Sequence, residues 1–332
     1  MSQATYRAAQ CARLEGPGAI EIVDLPRPDL EPGAVRVAVA AAGVNFPDLL
    51  MTLGAYQHNP GLPFVPGLEA AGTVAEVAAG VDGLAVGQRV MVSARAGAFA
   101  EELVVPAGSA TPTPAGLSDA EAACFQVGAM TAYHGLIQRG RLQAGETALI
   151  LGATGGVGLA AVEVAKLSGA TVIAAGTRAA KLDAVASKGA DHVIDLSAQD
   201  LREAVLAATD GRGADVVYDP VGGDLFKTAM RCVAWNGRLL LIGFAAGTIP
   251  TAAMNHPLMK SYSIVGVHAG EATRRDPALL VDLWRGIGPW VAAGHLKPHI
   301  SHRLGLDEAG EALAVLQNRQ VTGRVVIEMA PS

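Results

Sequence analysis

Cysteine is scarce in this chain. Its 332 residues hold three, Cys11, Cys124 and Cys232, odd in number and far apart. That excludes a four-cysteine structural zinc site, and it fits reduced thiols in a cytoplasmic protein better than a disulfide framework. Charge is also sparse. Asp, Glu, Lys and Arg make up 17% of the chain against 51% hydrophobic residues, so large cores are expected and disorder is not. Positive charge is not in excess. The formal net charge of −6 argues against nucleic acid as a partner, because phosphate binding calls for a basic surface. No apolar run approaches the roughly 20 residues of a membrane-spanning helix. The opening MSQATYRAAQCARLEG has no apolar h-region, so no leader peptide is expected. A Gly-x-Ser-x-Gly nucleophile and a Cys/His pair at catalytic spacing are both missing.

What the chain does have is ETALILGATGGVGLAAVEVAKLSGATVIAA, Glu146 to Ala175. Ala148 to Leu151 is an unbroken apolar run, as expected for a parallel strand buried on both faces. Gly152, Gly155, Gly156 and Gly158 follow. Val157, Ala160, Val164 and Leu167 then recur at helical spacing, and Thr171–Ala175 reads as a second strand. Glycines let the backbone turn tightly and let a pyrophosphate approach, while the N–H groups of the helix start face the anion. The strand before and the helix after the turn supply the context that a glycine trio alone lacks.

Residues 1 to about 110 read as short strands separated by proline and glycine: Ala19–Leu25, Ala34–Ala41, Gly72–Val77, Arg89–Val92 and Ala100–Val105. This spacing predicts a small barrel. Ser118-Asp119-Ala120-Glu121 is a helix N-cap signal, with helical sequence running to about Arg139. Beyond the glycine turn, strands at His192–Leu196, Asp215–Tyr218, Arg238–Gly243 and Ser263–Val267 alternate with helices at Asp200–Ala208 and Leu225–Ala234. That alternation predicts a doubly wound parallel α/β sheet of about six strands. Asp276–Ala293 reads as a helix. His299–Leu304, Asp307–Gln317 and Arg324–Met329 form an α+β tail expected to return to the first domain.

The second strand of a dinucleotide fold usually ends in an acid that holds the ribose 2′-hydroxyl of NAD. Here it ends Ala174-Ala175-Gly176-Thr177-Arg178, with Lys181 next and the nearest downstream acid, Asp183, already on a helix. Thr177, Arg178 and Lys181 suit a 2′-phosphate, so NADPH is the expected cofactor.

The chain resembles zinc-free medium-chain dehydrogenases/reductases of the NADPH:quinone oxidoreductase (zeta-crystallin-like) type over nearly its full length. The matching motifs are Ala42–Asp48 (AGVNFPD), Pro66–Gly72 (PGLEAAG), Gly152–Gly158, Gly189–Ile194 (GADHVI), Gly213–Asp219 (GADVVYD) and Arg319–Gly323 (RQVTG). The resemblance implies a GroES-like β-barrel catalytic domain, residues 1–121 and 267–332, around a Rossmann cofactor domain, residues 122–266. It implies that Asn45 and Thr131 lie near the nicotinamide and that Ala153, Gly155, Gly156 and Val157 line the pyrophosphate. Gly176, Thr177, Arg178 and Lys181 would hold the adenosine ribose, and Val221, Phe244 and Arg319 would complete the cofactor cleft. Tyr56 matches a tyrosine at the substrate mouth. Leu50 and Leu196 depart from the tyrosines of several relatives, so substrate preference does not transfer.

Zinc-dependent relatives place Cys at the position of Asn45 and His at that of Leu68, and neither Asn nor Leu is a zinc ligand. His295, His299 and His302 are close in sequence, but Pro298 interrupts any shared helix face, so no metal site is expected there. Short-chain reductases pair Tyr with Lys four residues on, and no tyrosine here has that partner.

The expected function is hydride transfer from NADPH to a quinone or other conjugated carbonyl. Charge developing on an oxygen there needs hydrogen-bond donors more than a metal. Tyr56 is the candidate proton donor, water the alternative and a pocket-lining aromatic role the competing one. Two other readings remain: a 2-enoyl thioester or enone reductase, and a non-catalytic NADPH-binding protein. Met259–His268 reads as an apolar edge strand, and in the resembling family such a strand pairs with its mate, so a homodimer is expected, with Phe244–Pro257 as a loop over the partner.

Overall fold

The computed structural model describes residues 4–329. The chain divides into two compact units, the first running to Val127 and resuming at His299, the second spanning Gly128–Pro298. These divisions fall at 127/128 and 298/299, where the sequence reading places them at 121/122 and 266/267. The stretch 267–298 groups with the second unit.

In the first unit, β1 (Thr5–Cys11) pairs antiparallel with β2 (Ile20–Pro26). The remaining strands share a seven-stranded sheet centred on β3 (Ala34–Val44), an eleven-residue run of mostly Ala and Val that is buried along most of its length. The helix α1 (Phe46–Thr52) follows β3 directly, and β4 (Glu69–Val77), β5 (Arg89–Ser93), β6 (Glu102–Pro106) and β7 (Ala110–Pro112) come next. Ser118 caps α2 (Asp119–Ala123) with the expected reciprocal box: Ser118 N–H donates to Glu121 Oε2 at 2.8 Å, and Glu121 N–H to Ser118 Oγ at 3.3 Å. Two donors at the helix start are thereby satisfied.

The helical sequence expected from Ser118 to about Arg139 has three parts. After α2 the chain breaks at Cys124–Phe125, resumes as α3 (Gln126–Tyr133), and widens to π-helical turns over His134–Arg139. The second unit then alternates β8 (Thr147–Ile150), α4 (Gly156–Leu167), β9 (Thr171–Gly176), α5 (Leu182–Ser187), β10 (His192–Asp195), α6 (Leu201–Ala208), β11 (Ala214–Asp219), α7 (Gly223–Cys232) and β12 (Val233–Leu241). The helix α8 (Asn255–Lys260) and the edge strand β13 (Ser263–Gly266) complete the sheet, and α9 (Ala269–Arg275) and α10 (Ala278–Ala292) follow. The six strands are all parallel, in the order β10-β9-β8-β11-β12-β13. Leu149, Ile173, Val217 and Leu239, one from each of four neighbouring strands, are fully buried in one core.

The tail re-enters the first unit. β14 (Ile300–Gly305) lies parallel to β15 (Arg324–Glu328), with α11 (Ala309–Gln317) between them, and β15 pairs antiparallel with β3.

Some expectations change. β1, α1 and β7 have no counterpart in the sequence reading. Ala100 makes only an isolated bridge to Ala8, so the strand expected from Ala100 starts at Glu102. The loop expected over Phe244–Pro257 ends in a helix, because Pro257 falls in the first turn of α8, where its missing N–H costs nothing. The expected strand Met259–His268 shrinks to Ser263–Gly266, because Met259 and Lys260 fall in α8, Ser261 turns the chain at φ 51°, and His268 caps α9. Among the described residues no helix is long and apolar enough to cross a membrane.

Candidate functional site

In the second unit the glycine turn has the geometry its sequence predicts. All four residues of β8 are buried, and Gly152 turns the chain at φ 58°. Gly155 caps α4, and Leu159 N–H to Gly155 O at 2.9 Å is an early bond of the helix. The amides of Gly156 and Val157 precede any intrahelical acceptor, so they can meet an anion. Gly158 has no substitute: a Cβ there would sit 2.2 Å from Gly152 O. Ala153 and Gly155 do not offer free amides. Ala153 donates to Ala175 O at 3.0 Å and Gly155 to Gly152 O at 3.0 Å, so both hold the turn itself.

At the end of β9, Gly176 is buried against Thr154, and Thr177 and Arg178 are exposed. Arg178 adopts φ 71°, rare for a non-glycine residue. Lys181 is half-buried, and its pKa is lowered by burial and by the nearby charge of Arg178. Two cations thus stand together beyond this strand. Around the turn after β11, Val221 packs on Gly152, whose Cβ would lie 2.9 Å from Val221 Cγ2, and Phe244 lies against Gly222. Thr131 is half-buried on α3, one turn before the π-helical segment.

In the first unit Asn45 caps α1 within a buried polar cluster. Its Nδ2 donates to Gly43 O at 3.2 Å and Glu69 Oε1 at 3.1 Å, and its Oδ1 accepts from Arg324 Nη1 at 2.9 Å. Both amide protons are therefore engaged inside this unit. Glu69 Oε1 also accepts from Arg324 Nη2, and Glu69 Oε2 accepts from Val127 N at 2.9 Å. Glu69 and Arg324 are 1% and 5% exposed. Burial works against the charge of Arg324, but Glu69, Cys124 and Asp48 around it raise its pKa.

Asp48 is fully buried. Its Oδ2 accepts from Asn45 N at 2.8 Å and its Oδ1 from Gly67 N at 3.1 Å. Burial pushes its carboxyl up to about 7, with Glu69 adding and the two amides and Arg324 opposing. Tyr56 is half-buried against Cys11, Met51 and Phe64, and its pKa is raised by burial and by the Asp48 charge. Leu68 packs on the same apolar cluster. Arg319 is exposed at φ 55° after α11, Leu50 is half-buried in α1, and Leu196 is half-buried just past β10. Among the described residues no group of three or more His, Cys, Asp and Glu side chains gathers as metal ligands.

Glu69, Arg324 and Asp219 carry no site role in the sequence motifs, yet the structure buries all three. Glu69 opens β4, Arg324 opens β15 and Asp219 closes β11, each directly beside an apolar stretch (Ala70-Ala71, Val325-Val326-Ile327 and Val216-Val217-Tyr218), and that local contrast is the signal that marks them.

Residues 31–115 match the alcohol dehydrogenase GroES-like domain, and residues 156–284 match the zinc-binding dehydrogenase domain. The chain is 40% identical over 326 residues to the quinone oxidoreductase-like protein 2 homolog of Nematostella vectensis, covering 97% of this chain and 89% of that protein. Among solved structures it is similar to a probable oxidoreductase from Mycobacterium abscessus, at 38% identity and a TM-score of 0.90, over 98% of this chain and 100% of that one. It is also similar to the quinone oxidoreductase from Thermus thermophilus, whose structures include a complex with NADPH, at 33% identity and a TM-score of 0.84, over 97% and 99% of the two chains. With both domains matched and the fold shared along nearly its whole length, the chain belongs to the quinone oxidoreductase-like proteins of the medium-chain dehydrogenase/reductase family.

Proposed function

We propose that this protein is an NADPH-dependent oxidoreductase that reduces a quinone or another conjugated carbonyl compound without zinc. The observation that carries the cofactor reading is the glycine turn at the end of β8, with Arg178 and Lys181, rather than an acid, beyond β9. The residues present fit the group. Gly158 allows the close approach of turn and helix, the amides of Gly156 and Val157 can take a pyrophosphate, and the two cations can take a 2′-phosphate. When bound, the nicotinamide supplies the hydride. Thr131, Val221 and Phe244 are proposed to border its half of the dinucleotide, and Gly176 and Thr177 its adenosine ribose. The membership of relatives named as quinone oxidoreductases supports the acceptor class.

Tyr56 is proposed to hand a proton to the reduced acceptor. Burial and the Asp48 charge keep its phenol protonated well past neutral pH, as a donor requires. Asn45 has both amide protons engaged, so its proposed role beside the nicotinamide is limited to the remaining lone pair of Oδ1 and to shaping α1. Arg319 remains proposed as a cofactor-cleft residue. The three free cysteines are all buried, which supports a reducing, cytoplasmic setting.

We also propose a homodimer through β13. Val267 N–H donates to Leu241 O at 3.0 Å, so by alternation the amides of residues 265 and 267 face β12 and those of Ile264 and Gly266 face the open edge. Ile249, Met254, Leu258 and Met259 are exposed in the segment leading to this strand, an apolar surface that a second copy would cover.

The deciding experiment is a turnover screen with NADPH against quinones, enones and 2-enoyl thioesters, repeated with Tyr56→Phe. Turnover of quinones or enones, with kcat falling about 100-fold or more in Tyr56→Phe at unchanged NADPH affinity, is expected. Preference for enoyl thioesters moves the acceptor to the acyl-chain class. Tight NADPH binding without any turnover makes the protein a non-catalytic binder.

A further inference from the structure

Asp219 ends β11 where the strand order reverses. β8, β9 and β10 run outward one way, and β11, β12 and β13 the other. In an open parallel sheet, ligands bind in the crevice beyond the carboxyl ends of the two strands at that point. β8 and β11 are those strands, and the turns that follow them touch through Gly152 and Val221.

The Asp219 side chain is divided between two surroundings. It is 1% exposed, and its Oδ1 accepts from both Val221 N at 2.8 Å and Gly222 N at 2.9 Å. Its Oδ2, equally buried, has no hydrogen-bond partner among the described residues. Two buried carboxyls of the first unit differ: Asp48 and Glu69 have both oxygens engaged. A buried acceptor left unpaired is costly and calls for a physical reason, and a partner from outside the chain supplies one.

The donor that would complete it follows from the course of a dinucleotide on this sheet. A dinucleotide whose pyrophosphate met the start of α4 and whose adenosine half met Arg178 and Lys181 beyond β9 would have its other half directed from β8 toward β11. The first donors it brings past the pyrophosphate are the hydroxyls of the nicotinamide-side ribose. We infer that Asp219 is a binding residue for that ribose: Oδ2 accepts a hydrogen bond from one of its hydroxyls, while Oδ1 fixes the Val221–Gly222 turn against Gly152. The inference rests on the dinucleotide reading of the site.

Asp219→Asn keeps an oxygen for the two loop amides and turns the second position from acceptor to donor. Dissociation constants for NADPH and for 2′,5′-ADP, which lacks the second ribose, are measured by calorimetry on the full chain. The expected result is NADPH binding weakened about tenfold or more, with 2′,5′-ADP within twofold of wild type. Asp219→Ser, which leaves one oxygen for the loop, serves if the Asn variant does not fold and should give the same pattern. Equal weakening of both ligands, or no change in either, overturns the ribose assignment and leaves the dinucleotide reading standing. A wild-type protein that binds neither ligand overturns both.

Discussion

Arg324→Met tests the buried pair at the heart of the first unit. The substitution keeps an aliphatic stem beside Asn45 and Glu69 but removes a guanidinium that reaches Asn45 Oδ1 at 2.9 Å and Glu69 Oε1. Glu69, 1% exposed, keeps its bonds from Asn45 Nδ2 and Val127 N, so its geometry survives while its charge loses compensation. Breaking a buried pair in this way costs about 3–5 kcal/mol, whereas replacing both partners with neutral groups of similar size is close to neutral. Glu69→Gln combined with Arg324→Met should therefore recover most of the loss. Arg303→Met is the control: the Arg303–Glu328 pair joins β14 to β15 with side chains 53% and 43% exposed, and its loss should change stability by less than about 1 kcal/mol. Amide hydrogen exchange in β3 and β15 reads the opening free energy of this sheet directly. An Arg324→Met cost no larger than that of the surface control, or a double variant no better than the single, would refute the electrostatic account of the cluster.

Four further outcomes are expected. Arg178→Ala with Lys181→Ala should weaken NADPH far more than NADH in paired binding measurements; equal loss of both removes the 2′-phosphate assignment. Asp48 gives a stability slope with pH. Its folded pKa is raised from 3.8 to about 7, so the native state holds a proton that the unfolded chain has lost, and stability falls as pH rises through that window. The full effect is about 4 kcal/mol at 1.36 kcal/mol per unit, and a urea-denaturation series from pH 4 to 8 should lose this slope in Asp48→Asn. Prolonged chelation should leave turnover unchanged, and activity lost to chelation and restored by zinc alone would end the zinc-free proposal. Gly266→Pro removes an outward-facing donor of β13 and should convert dimers to folded monomers in sedimentation runs, whereas a wild-type monomer at micromolar concentration rejects the dimer.

The second unit was the more legible half in sequence, because a parallel sheet buried on both faces writes its strands as apolar runs. Ala148–Ile150, Val172–Ala175 and Val216–Tyr218 stand out as such, and the helices between them keep their spacing. The first unit gives weaker signals. β1, TYRAAQC, has three polar or charged positions, and its pairing with β2 is a matter of contacts distant from its own pattern. The helix α1 is only seven residues and carries Pro47 near its start, so it looks like a turn. The polar cluster was illegible for a different reason. Asn45, Glu69 and Arg324 lie far apart in the chain and meet only because β15 returns to pair with β3 beside β4. Motif matching marked Asn45 as a site residue, but only the fold shows that its amide is already held by a glutamate and an arginine.

Asn45, Glu69 and Arg324 also give the zinc-free proposal its physical reason. A zinc site in a protein interior needs a set of anionic or neutral donors whose charge the metal balances. Here the charge of Glu69 is balanced from within, by a guanidinium that cannot be titrated away at any physiological pH. Asn45 has an amide that faces both partners, and Leu68 packs onto an apolar cluster with Met51 and Phe64. Cys at 45 and His at 68 would supply two donors, short of the three protein ligands of a catalytic zinc site, and Arg324 would remain beside Glu69 as a competing cation. The Asn45→Cys, Leu68→His variant should bind zinc weakly, and adding Arg324→Met should strengthen that binding by removing the competitor. Zinc titration of the two variants separates the cases: tight binding with Arg324 in place would mean that the guanidinium is not what fills the metal's electrostatic role.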